Sequence, residues 1–204
     1  MAYSTINKHT DHFNTKLYTG TGSSNAITGV GFQPDFTWIK DRDATNNHSL
    51  YDAVRGVTNV LLSNATNAET TYAQGLTAFG TDGFTVGTDS QNNTNGNDIC
   101  SWNWKAGTSF TNDASSTGIG TIDSTGSVND TAGFSIVSWS GTGTAGTIKH
   151  GLSTTPKMII VKVRNFATNW LVQHGSIAST KVLYLDATNA ESTDDSFNDT
   201  LPTS

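Results

Sequence analysis

Side chains that could carry out acid–base or nucleophilic chemistry are few in this sequence, and they are scattered. The only two glutamates are Glu69 and Glu191. A glycosidase needs two carboxyl groups that flank one scissile bond, and no paired Glu/Asp strand motif occurs here. A Gly-x-Ser-x-Gly nucleophile elbow is also missing from the sequence. We therefore expect a protein that is not an enzyme, and a glycan-cleaving enzyme is the function that these residues favour least.

The histidines lack the spacing of a metal or catalytic centre. No His-x-x-x-His pair occurs, and the single cysteine, Cys100, excludes both a multi-cysteine metal site and an internal disulfide. We interpret each histidine as a surface residue or a hydrogen-bonded core residue, because no catalytic partner stands at a recognisable spacing. The histidines are His9, His12, His48, His150 and His174.

Two stretches rich in Asp and Asn are weak candidates for binding a ligand or cation. Such side chains make turns routinely, so we favour two structural loops and predict no cofactor. A calcium site stays an alternative, although a helix-loop-helix calcium frame would end at Trp102 instead of a glutamate. The metal candidates are Asp41 and Asp43, and the ligand-binding candidates are Asp89, Asn93, Asn95 and Asp98.

Aromatic residues give a second kind of candidate. Cys100, Trp102 and Trp104 alternate along one segment, so they share one face of a predicted strand. Exposed tryptophans can stack on sugars, but they are also large core fillers. We favour the core, because cysteine is among the most buried residue types.

The elements that must position these residues are organised by an internal repeat. Ala-Thr-Asn-Ala-Glu occurs at residues 65–69 and again 122 positions later, at residues 187–191. Other matches keep this offset within two residues, which indicates two copies of one unit the size of a small domain. Arg55 is a possible hydrogen-bonding partner of Glu69. The further matches are Phe13/Phe134, Gly20/Gly141, Ile27/Ile148, Gly31/Gly151, Pro34/Pro156 and Lys40/Lys162.

Composition predicts the class of these units. Charged residues make up only 14% of the chain, and Thr, Ser, Asn and Gly, which favour turns and strands over helix interiors, replace them. We expect an all-β fold of tandem antiparallel β-sandwich units of jelly-roll or concanavalin A-like type, the second one incomplete. The predicted units are residues 1–107 and 133–204, separated by a Gly/Ser/Thr-rich linker at residues 108–132.

Charge and hydropathy exclude some partners. The net charge is −6 and the 11 basic residues are dispersed, which argues against nucleic acid and anionic membranes. No apolar run reaches the roughly 20 residues of a membrane helix, and the first residues do not resemble a signal peptide. We expect a soluble chain that is made in a cytoplasm.

Strand predictions follow the repeat. Residues 35–40 and 157–163 are the predicted core strand of each unit, and the apolar run at 158–161 predicts burial on both faces. Residues 70–82 are predicted as mostly connection. The second copy lacks counterparts of residues 83–87 and 99–104, so we expect further strands from a longer chain or another molecule, which would cover apolar residues such as Ile160.

Several segments together resemble a known family. The chain is similar to repeated β-sandwich domains of unknown function in tail-fibre-like virion proteins of marine tailed phages. The resemblance implies a virion location, other virion proteins as partners and contact with the host surface. A structural or receptor-binding virion protein is expected to form a homo-oligomer, with a trimer as the expected form, and a host-surface glycan is a candidate partner. It implies no catalytic residues, and a lectin-like carbohydrate-binding module is the alternative. The segments are FNTKLYTGTG (13–22), GFQPDFTWIK (31–40), LYDAVRG (50–56), DGFTVG (82–87), WNWKA (102–106), HGL (150–152) and PKMIIVK (156–162).

The residues that we expect to matter structurally in the repeat are those that anchor its strands and turns. They are Trp38, Arg55, Glu69, Trp102, Trp104, Ile160 and Glu191.

Overall fold

The computed structural model describes residues 6–203 and confirms the predicted all-β class. Almost all regular structure in this range is antiparallel strand, and the helices are short turns. A 3₁₀ turn at His9–Asp11 precedes the first strand, and residues 1–5 of the predicted lead-in lie outside the described part. The first strands are β1 (Phe13–Thr19), β2 (Asn25–Ile27), β3 (Phe36–Asp41), β4 (Ser49–Asp52), β5 (Gly56–Leu62), β6 (Thr70–Thr71), β7 (Leu76–Gly80) and β8 (Gly83–Val86). The remaining elements are α1 (Ser90–Asn93), β9 (Asp98–Trp104), β10 (Thr108–Asn112), α2 (Ala114–Thr117), β11 (Ser124–Asn129), β12 (Phe134–Trp139), β13 (Met158–Val161), β14 (Leu171–His174), β15 (Lys181–Tyr184) and β16 (Ser192–Thr193).

The first half of the chain folds as an antiparallel β-sandwich. A six-stranded sheet in the order β1-β9-β3-β4-β5-β6 packs against a three-stranded sheet in the order β2-β8-β7. Alternate residues of each strand point between the sheets, as the period of two requires. Tyr51 and Ile39 are fully buried in this core, and the opposing sheet contributes Leu76, Phe84 and Val86.

The pairing of strands β13–β16 in the second half repeats the register of β3–β6 in the first half. The four-stranded sheet β13-β14-β15-β16 follows the order of β3-β4-β5-β6. Because a slip of one residue would move every side chain to the other face, an identical register means that matched residues occupy matched faces. Phe36↔Asp52 recurs as Met158↔His174, Trp38↔Leu50 as Ile160↔Val172, Leu50↔Leu61 as Val172↔Leu183, and Val60↔Thr70 as Val182↔Ser192.

Two stretches hold more structure than their composition predicts. Residues 108–132, predicted as a linker, form β10, α2 and β11, which make a three-stranded sheet with β12. Residues 70–82, predicted as mostly connection, contain β6 and β7. In both stretches strand residues are mainly Thr, Ser and Gly, so the apolar alternation that marks a strand is weak. The boundary between the two units stays a prediction.

The prediction that residues 158–161 are buried on both faces is wrong. Met158 is 57% exposed and Ile160 is 42% exposed. These two side chains share one face of β13, and their counterparts on β3, Phe36 and Trp38, are half-buried. The difference arises because the rest of the chain packs over the face of β3 but leaves this face of β13 open.

None of the helices in residues 6–203 combines the length and the apolar character needed to span a bilayer.

Candidate functional site

A row of aromatic side chains lies on the face of the six-stranded sheet that points away from the sandwich core. Trp102 and Trp104 are half-buried members of this row, so the expectation that they fill the core is wrong. In the pairing of β3 with β9, Trp38 is opposite Trp102 and Phe36 is opposite Trp104. The ring centroids are 6.1 Å apart in the first pair and 5.3 Å apart in the second, both edge to face. Edge-to-face packing is a favourable aromatic geometry, so the sheet register itself fixes these rings in place.

His48 fixes the orientation of the first indole. Trp38 Nε1 donates a hydrogen bond of 2.9 Å to His48 Nδ1. Burial, with a contribution from the charge of Lys40, lowers the pKa of His48 below its usual value. The imidazole is therefore neutral at pH 7, which leaves Nδ1 free to accept the indole hydrogen.

The three tryptophans and His48 line an open groove. Its volume is about 210 Å³, and the lining residues are Trp38, His48, Trp102 and Trp104. A second cavity of about 280 Å³ shares Trp104 and extends to His9, His12 and Phe134. Among the described residues no Asp or Glu lines either cavity. This arrangement can stack on a flat apolar ligand surface, but it offers no carboxyl group for acid–base catalysis.

The second half of the chain closes one end of the aromatic row. The Phe134 ring stacks on Trp104 with centroids 6.2 Å apart and an interplanar angle of 24°. Nearby, Trp170 is buried against Leu50 and Leu61. Its Nε1 donates a 2.8 Å hydrogen bond to the carbonyl of Leu62, so the indole is anchored by both apolar contact and a hydrogen bond.

The first Ala-Thr-Asn-Ala-Glu segment joins the two halves through an ion-pair cluster. Glu69 Oε2 lies 2.9 Å from Arg55 Nη1, and Glu69 Oε1 lies 2.7 Å from Arg164 Nη2. The predicted Arg55 partnership is confirmed, whereas Arg164 is a partner that the sequence did not indicate. Burial raises the pKa of Glu69, but hydrogen bonds from Arg164 and Arg55 outweigh it and hold the pKa below its usual value. The carboxylate is therefore charged at neutral pH.

Backbone groups of the same segment complete the contact. The carbonyl of Thr66 accepts hydrogen bonds from Thr168 N at 2.9 Å and from Lys162 Nζ at 3.2 Å. Glu69 N donates to the carbonyl of Arg164 at 2.8 Å. Both side chains and main chain thus fix the register between residues 65–69 and the loop at residues 162–170.

The family model for the domain of unknown function DUF7483 matches residues 8–204. The chain belongs to the DUF7483 family. Comparison with curated proteins and with solved structures gave no match.

The predicted metal candidates of this DUF7483 chain, Asp41 and Asp43, accept hydrogen bonds within their own loop and from the segment at residues 97–98. Asp41 is buried and accepts hydrogen bonds from Asn46 Nδ2 at 3.0 Å and from Asn97 Nδ2 at 2.9 Å. Asp43 accepts from Asp98 N at 2.6 Å. Within residues 6–203, no group of three or more His, Cys, Asp or Glu side chains is placed to hold a metal ion.

The ligand-binding candidates of residues 89–98 have different environments. Asp89 is the N-cap of α1, where it accepts from Gln91 N at 2.9 Å, and burial raises its pKa. Asn93 is fully buried, and its amide donates to the carbonyls of Ser23 and Gly87. Asn95 and Asp98 are exposed. The structure therefore assigns Asp89 and Asn93 to loop geometry and does not gather the four side chains around one cavity.

Sequence reasoning missed His48 and Trp170, which anchor the aromatic row from two sides. They stand 122 positions apart, so they occupy the same position of the repeat. Extending the repeat alignment past Lys40 and Lys162 would have paired them. It would not have revealed their partners, since Trp170 reaches Leu62 across 108 residues.

Proposed function

We propose that this chain is a non-enzymatic structural module of a phage virion, associated with the tail or its fibres, that contacts the host surface. The motifs quoted above that resemble virion repeats suggest the context. The observation that carries a structural role is the interface in which the second unit docks on the first through Glu69, Arg164 and Trp170. The proposed location is the virion, after synthesis in the host cytoplasm.

This interface suits an assembly that must hold its units in a fixed arrangement. The Arg55 side chain is 6% exposed and Glu69 is 15% exposed, so the pair is shielded from solvent screening. Arg164 approaches the same carboxylate with two nitrogens, Nε at 3.0 Å and Nη2 at 2.7 Å. Bidentate Arg–carboxylate pairs add geometric specificity to their energy. A rod built from such joints keeps a fixed angle between units.

The aromatic groove favours a second candidate function, lectin-like carbohydrate binding. Small-ligand sites are concave and mostly apolar with a few polar groups, and here three indoles surround one imidazole. The volume of about 210 Å³ is smaller than a drug-sized pocket of roughly 300 Å³ or more. It therefore suits one sugar ring stacked on the surface. The two candidates are compatible, because a fibre can recognise a glycan receptor.

A glycan array tests the lectin candidate. The full chain is applied to an array of bacterial surface polysaccharides, with and without calcium, beside a Trp102→Ala variant and a Phe166→Ala control. Phe166 is 57% exposed and lies outside both cavities. We expect binding by the wild type and the control, and loss of binding by Trp102→Ala. Null binding by the wild type across the array would reject the lectin candidate, and release of oligosaccharide would contradict a non-enzymatic role.

The virion proposal needs a separate measurement. Mass spectrometry of purified particles from a phage that encodes this chain should detect it in amounts comparable to other tail proteins. Its absence from purified particles, together with its presence in the lysate, would contradict the proposal.

A further inference from the structure

The joint inside the chain is made by two unlike surfaces. On the first unit, residues 65–69 and the outward face of β3 form what we call the acceptor surface. On the second unit, the donor loop at residues 162–170 supplies Arg164 and Trp170. When two unlike surfaces form an interface, a pair of units still has one free surface of each kind. Further units can therefore be added through the same contact.

The second unit carries a copy of the acceptor surface that this chain leaves uncovered. Residues 187–191 repeat residues 65–69 letter for letter. Glu191 is exposed, and it forms no ion pair with any residue between 6 and 203. On β13, at the other edge of the sheet that ends in β16, Met158 and Ile160 are 57% and 42% exposed at the positions that match Phe36 and Trp38.

The first unit, in turn, carries a copy of the donor loop at residues 40–48. Lys40 and Arg42 occupy the positions of Lys162 and Arg164. Arg42 is exposed and has no ion-pair partner in the described part of the chain. The two loops share an internal hydrogen bond at matched positions, which indicates a common conformation. Lys40 Nζ donates to the Asn46 carbonyl at 2.8 Å, and Lys162 Nζ donates to the Thr168 carbonyl at 2.9 Å.

Two features of the first-unit loop bear on its strength as a donor. His48 stands where Trp170 stands in the second unit, and its ring is engaged by Trp38. An interface through this loop therefore lacks the buried indole. The acidic neighbour of Arg42, Asp43, accepts a hydrogen bond from Asp98 N, so its carboxylate is directed toward its own unit. The loop is thus a weaker donor than residues 162–170, but Arg42 is available to a carboxylate.

We propose that copies of this chain associate head to tail, with residues 40–48 of one molecule on residues 187–191 and the open face of β13 of the next. Arg42 pairs with Glu191, as Arg164 pairs with Glu69 inside the chain. The surfaces are complementary in charge and continue an interface that the molecule already contains. Because each molecule retains one free surface of each kind, association proceeds in open chains.

Sedimentation equilibrium of the full chain tests this proposal. We expect the average mass to rise past that of a dimer as the concentration approaches about 1 mM, the weak end of the affinity scale. Glu191→Lys should lower the association constant about tenfold or more, and Ile160→Lys should do the same through the apolar part of the surface. Asp195→Lys is the matched control, because it makes the same charge change on an exposed residue of the second unit.

Mixing separates this geometry from other modes of association. Glu191→Lys retains the loop with Arg42, and Arg42→Gln retains the segment with Glu191. Each variant alone should associate more weakly than the wild type by the factor given above, whereas their mixture should regain association as dimers and nothing larger. Circular dichroism confirms that each variant is folded.

The proposal is overturned by a wild-type mass that stays at the monomer value of 21.6 kDa up to about 1 mM. A closed trimer without larger species would also overturn it. So would an equal loss of association in Asp195→Lys, unchanged association in both Glu191→Lys and Ile160→Lys, or a mixture that forms no dimers.

Discussion

The same five residues have opposite surroundings in the two halves of the molecule. In the first half, Glu69 is 15% exposed and lies between two arginines. In the second half, Glu191 ends an identical segment but is exposed. Residue 177, the repeat counterpart of Arg55, is isoleucine, so the buried guanidinium is missing there. A repeated sequence therefore reproduces the strand register, whereas the partner of the repeated segment is decided by residues elsewhere.

The outward faces of the two sheets differ in the same way. Phe36 on β3 packs against Trp104 and Phe134, with centroids 5.3 and 6.2 Å away. Its counterpart Met158 on β13 is 57% exposed. The two sheets therefore have the same register, but their outward faces are buried to different extents. Matched residues should contribute differently to stability, and substituting them measures the difference.

The largest effect is expected at the indole that joins the halves. Trp170→Ala removes a buried side chain that packs on Leu50 and Leu61, and it also breaks the hydrogen bond to the Leu62 carbonyl. Truncation of a buried aromatic residue to alanine typically costs about 3–5 kcal/mol. Urea unfolding followed by circular dichroism measures the change. Phe166→Ala, at an exposed position of the same loop, should change the free energy of unfolding by no more than about 0.5 kcal/mol. Equal losses in both variants would contradict a stabilising contact between the two halves at Trp170.

The two glutamates provide a matched pair of smaller effects. Glu69→Ala removes a carboxylate that accepts from both Arg164 and Arg55. Arg164 then keeps its hydrogen bond to Ser138, and Arg55 keeps Asp52 and the carbonyls of Leu50 and Asn59. A hydrogen bond to a charged group contributes about 1.5–3 kcal/mol, so we expect a loss of that order in urea unfolding at low protein concentration. Glu191→Ala makes the same change in the same five-residue context, and it should change stability by about 0.5 kcal/mol or less. Similar losses in both variants would remove the distinction between the two copies.

The contribution of Glu69 should also depend on pH. Its pKa is lower in the folded chain than in the unfolded chain, because the arginines favour the charged form. The stabilisation is thus fully present above the unfolded value of about 4.3 and is lost as the pH falls through the lower folded value. The difference in unfolding free energy between wild type and Glu69→Gln should shrink over that window. A difference that stays constant from pH 7 to pH 3 would show that Glu69 acts without its charge.

Sequence reasoning reached the parts of this structure that local pattern determines. The offset of 122 residues predicted which strands correspond, and Arg55 could be named as a partner of Glu69 because both lie in one short segment. The all-β class followed from composition.

Long-range packing was the part that sequence reasoning could not reach. An apolar run such as residues 158–161 has the same sequence pattern whether one face of the strand is buried or both. The prediction that both faces are buried was therefore wrong. The strands β10 and β11 are built largely from Thr and Ser, whose pattern also fits a linker. The groove is lined by His48 together with the three tryptophans, and Phe134 from the other half of the chain stacks on Trp104. No spacing in the sequence brings these residues together.

The smallest effect is expected on the open face of the second unit. Met158→Ser replaces a side chain that is already 57% exposed, so little apolar surface returns to water on unfolding. We expect a change of about 0.5 kcal/mol or less at low protein concentration, measured by urea unfolding. Phe36→Ser, at the matched position of the first unit, should cost several times more because the ring lies against two other aromatic rings. A loss above about 1 kcal/mol for Met158→Ser would mean that this face is covered within the single molecule, and the contrast between the two sheets would then fail.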